Sequence, residues 1–175
     1  MAALRLVGAP IRLSQGGLEI AISDDVCGPI DALIVEEDTF LVLSAPPEIP
    51  PLSEHPVRIF TALTEAEPLE LGAIRVRGGA PLLIQAVVID LEQDPPASLE
   101  AVRSTLAAAL SELGRRKLRR AGLELLGTIH GGLDPAEVVD VVKGVLAALP
   151  PESLEQLSIV ARHRDLERVA AQLRV

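Results

Sequence analysis

A chain of 175 residues with 49% hydrophobic and 23% charged side chains is long enough to bury one core and too apolar to be disordered. A formal net charge of −9, with Phe40 and Phe60 as the only aromatic residues, argues against a nucleic-acid binder, which needs a basic surface and stacking platforms. The single cysteine, Cys27, excludes an internal disulfide and a multi-cysteine metal site, and no apolar run approaches a membrane span. The expectation is one cytoplasmic domain over residues 1–175, since Met1 to Pro10 is interrupted by Arg5, Gly8 and Pro10 and lacks a signal-peptide core.

In chain order, Arg5 to Leu13 and Leu18 to Ser23 read as two strands joined at Gly16-Gly17. A turn over Asp24 to Pro29 leads to Asp31-Ala32-Leu33-Ile34-Val35, apolar enough to be a central strand. Glu36-Glu37-Asp38 follows, then the apolar piece Thr39 to Leu43. Adjacent carboxylates point to opposite faces in extended chain, so these three are read as an acidic loop rather than as an acid–base pair or a cation site. From Ser44 to Leu71 six prolines exclude a long helix, and Val57 to Leu63 fits a strand or a short helix.

Gly72 to Arg77 is a short strand, Gly78 to Pro81 a turn and Leu82 to Leu91 a strongly apolar strand. Ser98 can cap a helix running to about Arg120, with Leu99, Val102, Leu106, Leu110 and Leu113 on its apolar face. The cations from Arg115 to Arg120 are read as its solvated end, where positive charge complements the helix dipole. After a strand over Leu123 to Leu126 comes Gly127-Thr128-Ile129-His130-Gly131-Gly132. Asp134 can then be the N-cap, Pro135 the first helical residue and Glu137 the partner that closes a capping box, for a helix to Leu149. Leu157 to Ala161 is a last strand and Asp165 to Leu173 a last helix. Strands alternating with helices predict an α/β sheet with parallel strands, whose ligands lie beyond the strand carboxyl ends. The glycine turn lies at such an end, and its backbone N–H groups suit a phosphate or another anion.

Several pieces resemble the macro domain, the ADP-ribose-binding module. Asp25-Val26-Cys27 followed by Asp31 to Val35 resembles its Gly-Asp-Ile-Thr turn and the strand after it. Gly72 to Asp90 resembles its central hairpin, and Leu125 to Gly132 its second phosphate loop, usually Gly-Thr-Gly-x-x-Gly. Leu157 to Val160 with Asp165 to Leu173 resembles its final strand and helix. The resemblance implies a three-layer α/β/α fold with a mixed central sheet. It puts Asp25, or Asp24 under a one-residue shift, against an adenine amino group. Gly127, Thr128, Ile129, His130, Gly131 and Gly132 would surround the diphosphate and distal ribose.

Two departures bear on activity. The family's Asn-Ala-Ala-Asn is replaced by Val35-Glu36-Glu37-Asp38, and Leu43 to Leu52 carries prolines where the first glycine-rich loop belongs. The expectation is therefore a noncatalytic module, without cofactor or metal, that binds ADP-ribose or a related nucleotide weakly. A structural or interaction domain with a decayed site, using apolar surface for a homodimer or larger partner, is the alternative. An ADP-ribosyl hydrolase using Glu36, Glu37 or Asp38 is a third reading. His130 divides evenly between a ligand contact and an exposed loop histidine. His55 and His163 are read as solvated, and Cys27 as a small buried hydrophobe.

Overall fold

The structure is a computed structural model that describes residues 9–43 and 67–174. Seven strands form one sheet: β1 (Ile11–Gln15), β2 (Leu18–Ser23), β3 (Ala32–Asp38), β4 (Ile74–Arg77), β5 (Leu82–Ile89), β6 (Arg120–Glu124) and β7 (Gln156–Val160), in the order β1-β2-β7-β6-β3-β5-β4. The five inner strands run parallel, while β1 and β4 pair antiparallel at the two edges. Every residue from Ile84 to Ile89 is buried, so both faces of β5 are covered. The core is aliphatic, built on Ile20, Ile22, Ile34, Ile84, Leu106, Leu113, Leu123, Leu157 and Ile159.

Helices α1 (Leu99–Arg115), α2 (Pro135–Ala148) and α3 (Leu166–Arg174) stand side by side, α1 on β5, α3 on β2, and α2 touching both helices. Ser98 caps α1 by accepting from Ala101 N at 3.2 Å. Asp134 caps α2, accepting from Ala136 N at 2.8 Å and Glu137 N at 3.4 Å. The capping box is only half built: Glu137 makes no bond back to Asp134, whose side-chain partner is Arg168 on α3 at 2.9 Å.

Several boundaries differ from the sequence reading. The first strand begins at Ile11, and residues 1–8 lie outside those described, as does the segment Val57 to Leu63. Glu36, Glu37 and Asp38 are not an acidic loop: they finish β3, and all three are buried. Helix α1 stops at Arg115 rather than near Arg120. Arg119 and Arg120 instead lead into β6, which ends at Glu124, so Leu125 and Leu126 are buried residues of the turn beyond it. Asp31 explains that start, since its Oδ2 accepts from Arg119 N at 3.1 Å and Arg120 N at 2.9 Å. The basic cluster is not merely solvated: Arg115 and Arg116 pair with Glu112, Arg119 with Glu155 and Arg120 with Asp31.

Candidate functional site at the strand carboxyl ends

The carboxyl ends of β2, β3, β6 and β7 converge at one side of the sheet. There the chain after β6 makes a tight turn closed by Leu133 N donating to Gly127 O at 2.9 Å and Thr128 N donating to Leu125 O at 3.2 Å. Gly127 and Gly132 have φ of +73° and +71°, a region costly for side-chain-bearing residues. Gly131 is needed for a different reason. A Cβ there would lie 2.4 Å from the Ala97 Cβ and 2.7 Å from Gly127 O.

Glu36, from the end of β3, enters this turn. Its Oε2 accepts from Gly127 N at 2.8 Å, and its Oε1 accepts from His130 N at 3.1 Å. His130 Nδ1 also lies 2.6 Å from Oε1. A carboxylate only accepts, so Nδ1 carries the proton there. The Glu36 side chain is 3% exposed and that of His130 48%. Behind it, Glu124 Oε2 accepts from Glu36 N at 3.2 Å. Burial, with the nearby Glu36 charge, pushes the Glu124 carboxyl above its ordinary value.

The loop after β3 is organised the same way. Asp38 accepts from Phe40 N at 2.7 Å, Val42 N at 2.8 Å and Leu43 N at 3.0 Å. Glu37 takes Leu43 N at 2.8 Å and Gln85 Nε2 at 3.0 Å. Three buried carboxylates are thus met mostly by backbone N–H groups, which is what allows anions to be buried. Sequence reasoning missed them because a run of three acids normally marks solvent. The available signal was their place, directly after an apolar strand and level with a glycine turn.

Beside the turn a cleft of about 490 Å³ is lined by Asp24, Glu124, Thr128, Ile129, Val160, Ala161, Arg162 and His163. Asp24 Oδ1 is shut off from solvent without a hydrogen-bond partner, and its Oδ2 lies 3.7 Å from His163 Nδ1. Arg162 Nη2 donates to Ile129 O at 2.9 Å and ties the cleft wall to the turn. Of the residues named from sequence, Asp24, Thr128 and Ile129 share this cleft, Gly127 and His130 bind Glu36, and Gly131 packs on Ala97. Asp25 is exposed, and its carboxylate accepts from its own neighbour, Val26 N, at 2.7 Å. Cys27 is half-buried, with Sγ 2.9 Å from Ser23 Oγ. His163 is exposed as expected. A larger hollow of about 720 Å³ lies at the other end of the sheet, between the ends of α1 and α2, where no buried charged groups converge.

No protein-family model and no curated protein sequence matches this chain. Solved structures do. A variant of the Oceanobacillus iheyensis macrodomain superposes with a TM-score of 0.68 at 16% identity, over 95% of this chain and 97% of that one. The same macrodomain with ADP gives 0.67 at 15% identity, over 95% of each chain. The Trypanosoma brucei macrodomain in complex with ADP-ribose gives 0.54 at 14% identity, over 88% of this chain and 67% of that one. The chain therefore has the macrodomain fold, a three-layer α/β/α arrangement around a mixed seven-stranded sheet.

Proposed function

We propose that this chain is a noncatalytic macrodomain-fold module that takes ADP-ribose or a related nucleotide only weakly at neutral pH. The observation that carries this reading is that the amides of the glycine turn, and those of the loop after β3, already hold the chain's own carboxylates. Glu36 takes Gly127 N and His130 N, and Asp38 takes Phe40 N, Val42 N and Leu43 N. An incoming diphosphate must break these bonds and approach buried negative charge, so its gross binding energy is largely offset. The cleft beside the turn keeps an acceptor for a donor-bearing base. Asp24, which lines it with a side chain 26% exposed, suits that role through Oδ2 better than the outward-facing Asp25, since its Oδ1 is shut off from solvent. Glu36, Glu37 and Asp38 make poor acid–base catalysts, because their oxygens are engaged by amides and shut away from a reacting group.

Calorimetric titration with ADP-ribose, with AMP and ATP for comparison, tests this. The expected dissociation constant is weaker than about 0.1 mM, with no release of ADP-ribose from a conjugate. Micromolar binding or turnover would overturn it. A second reading, an interaction domain with no nucleotide ligand, draws on Phe40, Val42 and Leu91, which are 48%, 61% and 66% exposed just beyond the ends of β3 and β5. A silent titration would favour it.

A further inference from the structure

Glu36 and the turn it enters come from distant parts of the chain, 91 residues apart at the Glu36–Gly127 contact. The turn therefore does not acquire this carboxylate through its own local folding. What it presents is a pair of N–H groups, Gly127 and His130, converging on the two oxygens of one group, with the His130 ring as a third donor. Converging backbone N–H groups are the general geometry for an oxyanion, and a carboxylate shares its acceptor-only chemistry with an edge of phosphate. Glu124 brings a second carboxyl group to the same end of the sheet, where its Oε2 accepts from the Glu36 backbone N–H. The donors of the turn favour placing the Glu36 carboxylate there.

We propose that Glu36 is an intramolecular ligand plugging an oxyanion site made by Gly127 N, His130 N and His130 Nδ1, and that a small carboxylate or phosphate occupies this site once Glu36 is removed. The proposal rests on the reading of the turn as an anion-binding turn. It adds the device that controls it: an external anion competes with a tethered one, whose effective concentration is high. The weak nucleotide binding proposed above then measures the cost of displacing Glu36, and the turn itself retains its capacity for anions.

The test uses the full chain as Glu36→Ala and Glu36→Gln, each labelled with ¹⁵N and titrated with formate and with inorganic phosphate. Chloride at matched ionic strength is the control. In Glu36→Ala, formate is expected to move the Gly127 and His130 amide resonances saturably towards their wild-type positions and to raise the melting temperature. Either anion is expected to bind at least about tenfold more tightly than to the wild type. Glu36→Gln keeps one acceptor oxygen without the charge, and an intermediate response is expected. If Glu36→Ala fails to fold alone, recovery of folding with formate and not with chloride supports the proposal, and Glu36→Gln carries the titration. Amide resonances in a folded variant that neither anion moves overturn it. So does wild-type protein binding formate or phosphate as tightly as Glu36→Ala. No nucleotide enters this experiment, so micromolar ADP-ribose binding by the wild type would sink the weak-binding reading and leave this result to stand or fall separately.

Discussion

Gly131 shows how one position can carry two meanings. In sequence, Gly131-Gly132 marks a turn open to a ligand, and replacing both by bulky residues looks like a clean test of binding. In the structure the two glycines serve different ends. Gly131 sits against Ala97, with no room for a Cβ, while Gly132 faces open space at φ +71°. Gly131→Ala is therefore expected to cost about 2 kcal/mol through steric overlap, and Gly132→Ala about 1 kcal/mol through its backbone conformation alone. Urea unfolding of the two single variants checks this, and equal costs would contradict it. A binding assay on the double variant would confuse lost folding with a lost site, which is why Glu36 is the better residue to change. That the turn needs glycine was legible in the sequence. Which glycine is held by packing was not, because Ala97 lies more than thirty residues away along the chain.

The end of α1 is a case of local signals being outweighed. Arg115, Arg116, Lys117, Arg119 and Arg120 are all good helix formers, and no glycine or proline falls between Arg115 and Arg120, so the spacing extends the helix to Arg120. The helix ends instead in a Schellman arrangement. Lys117 N donates to Gly114 O at 3.0 Å, and Leu118 N to Leu113 O at 3.0 Å. Lys117 adopts φ +55°, the position glycine usually takes. Leu118 packs against the core, and Asp31 holds Arg119 and Arg120 in the start of β6. These tertiary contacts outweigh the left-handed strain at Lys117. Lys117→Gly is expected to stabilise the protein by about 0.5 kcal/mol, strain relief being partly offset by the freer unfolded chain. An unchanged or lower midpoint in urea would show that Lys117 bears little strain.

Across the molecule, Glu112 and Asp31 on one hand and Glu124 on the other have opposite pH dependence. Hydrogen bonds from Arg115 and Arg116 hold the Glu112 carboxyl down to about 2, and the bond from Arg120 holds Asp31 below its ordinary value. Groups lowered in the fold contribute stability above their unfolded values, and that contribution is lost as pH falls through the folded ones. Glu124 has the reverse sign. Burial and the Glu36 charge raise it, so the native state binds its proton more tightly than the unfolded chain, and stability falls as pH rises through the interval between the two values. Glu124→Gln keeps an acceptor for Glu36 N and removes the charge. Its unfolding midpoint is expected to lie above wild type at pH 7 and to converge with it near pH 4, with the acid limb unchanged. A variant less stable than wild type at pH 7 would show that the Glu124 charge stabilises the fold.

The macro-like order of strands and helices, the caps at Ser98 and Asp134, the apolar strands and the glycine turn could all be read in the residues. They depend on short-range spacing: two-residue and 3.6-residue periodicity, and capping side chains two or three residues from the amides they bind. The fate of Glu36, Glu37 and Asp38 could not be read this way. Three adjacent carboxylates normally mark a solvated surface; here a turn some ninety residues later supplies the N–H groups for Glu36, while the loop after β3 and the Gln85 side chain supply those for Asp38 and Glu37. The sequence could therefore place a glycine turn at the carboxyl end of the sheet. The folded chain alone could show that the turn is already filled, because the occupant belongs to another strand and reaches it through space.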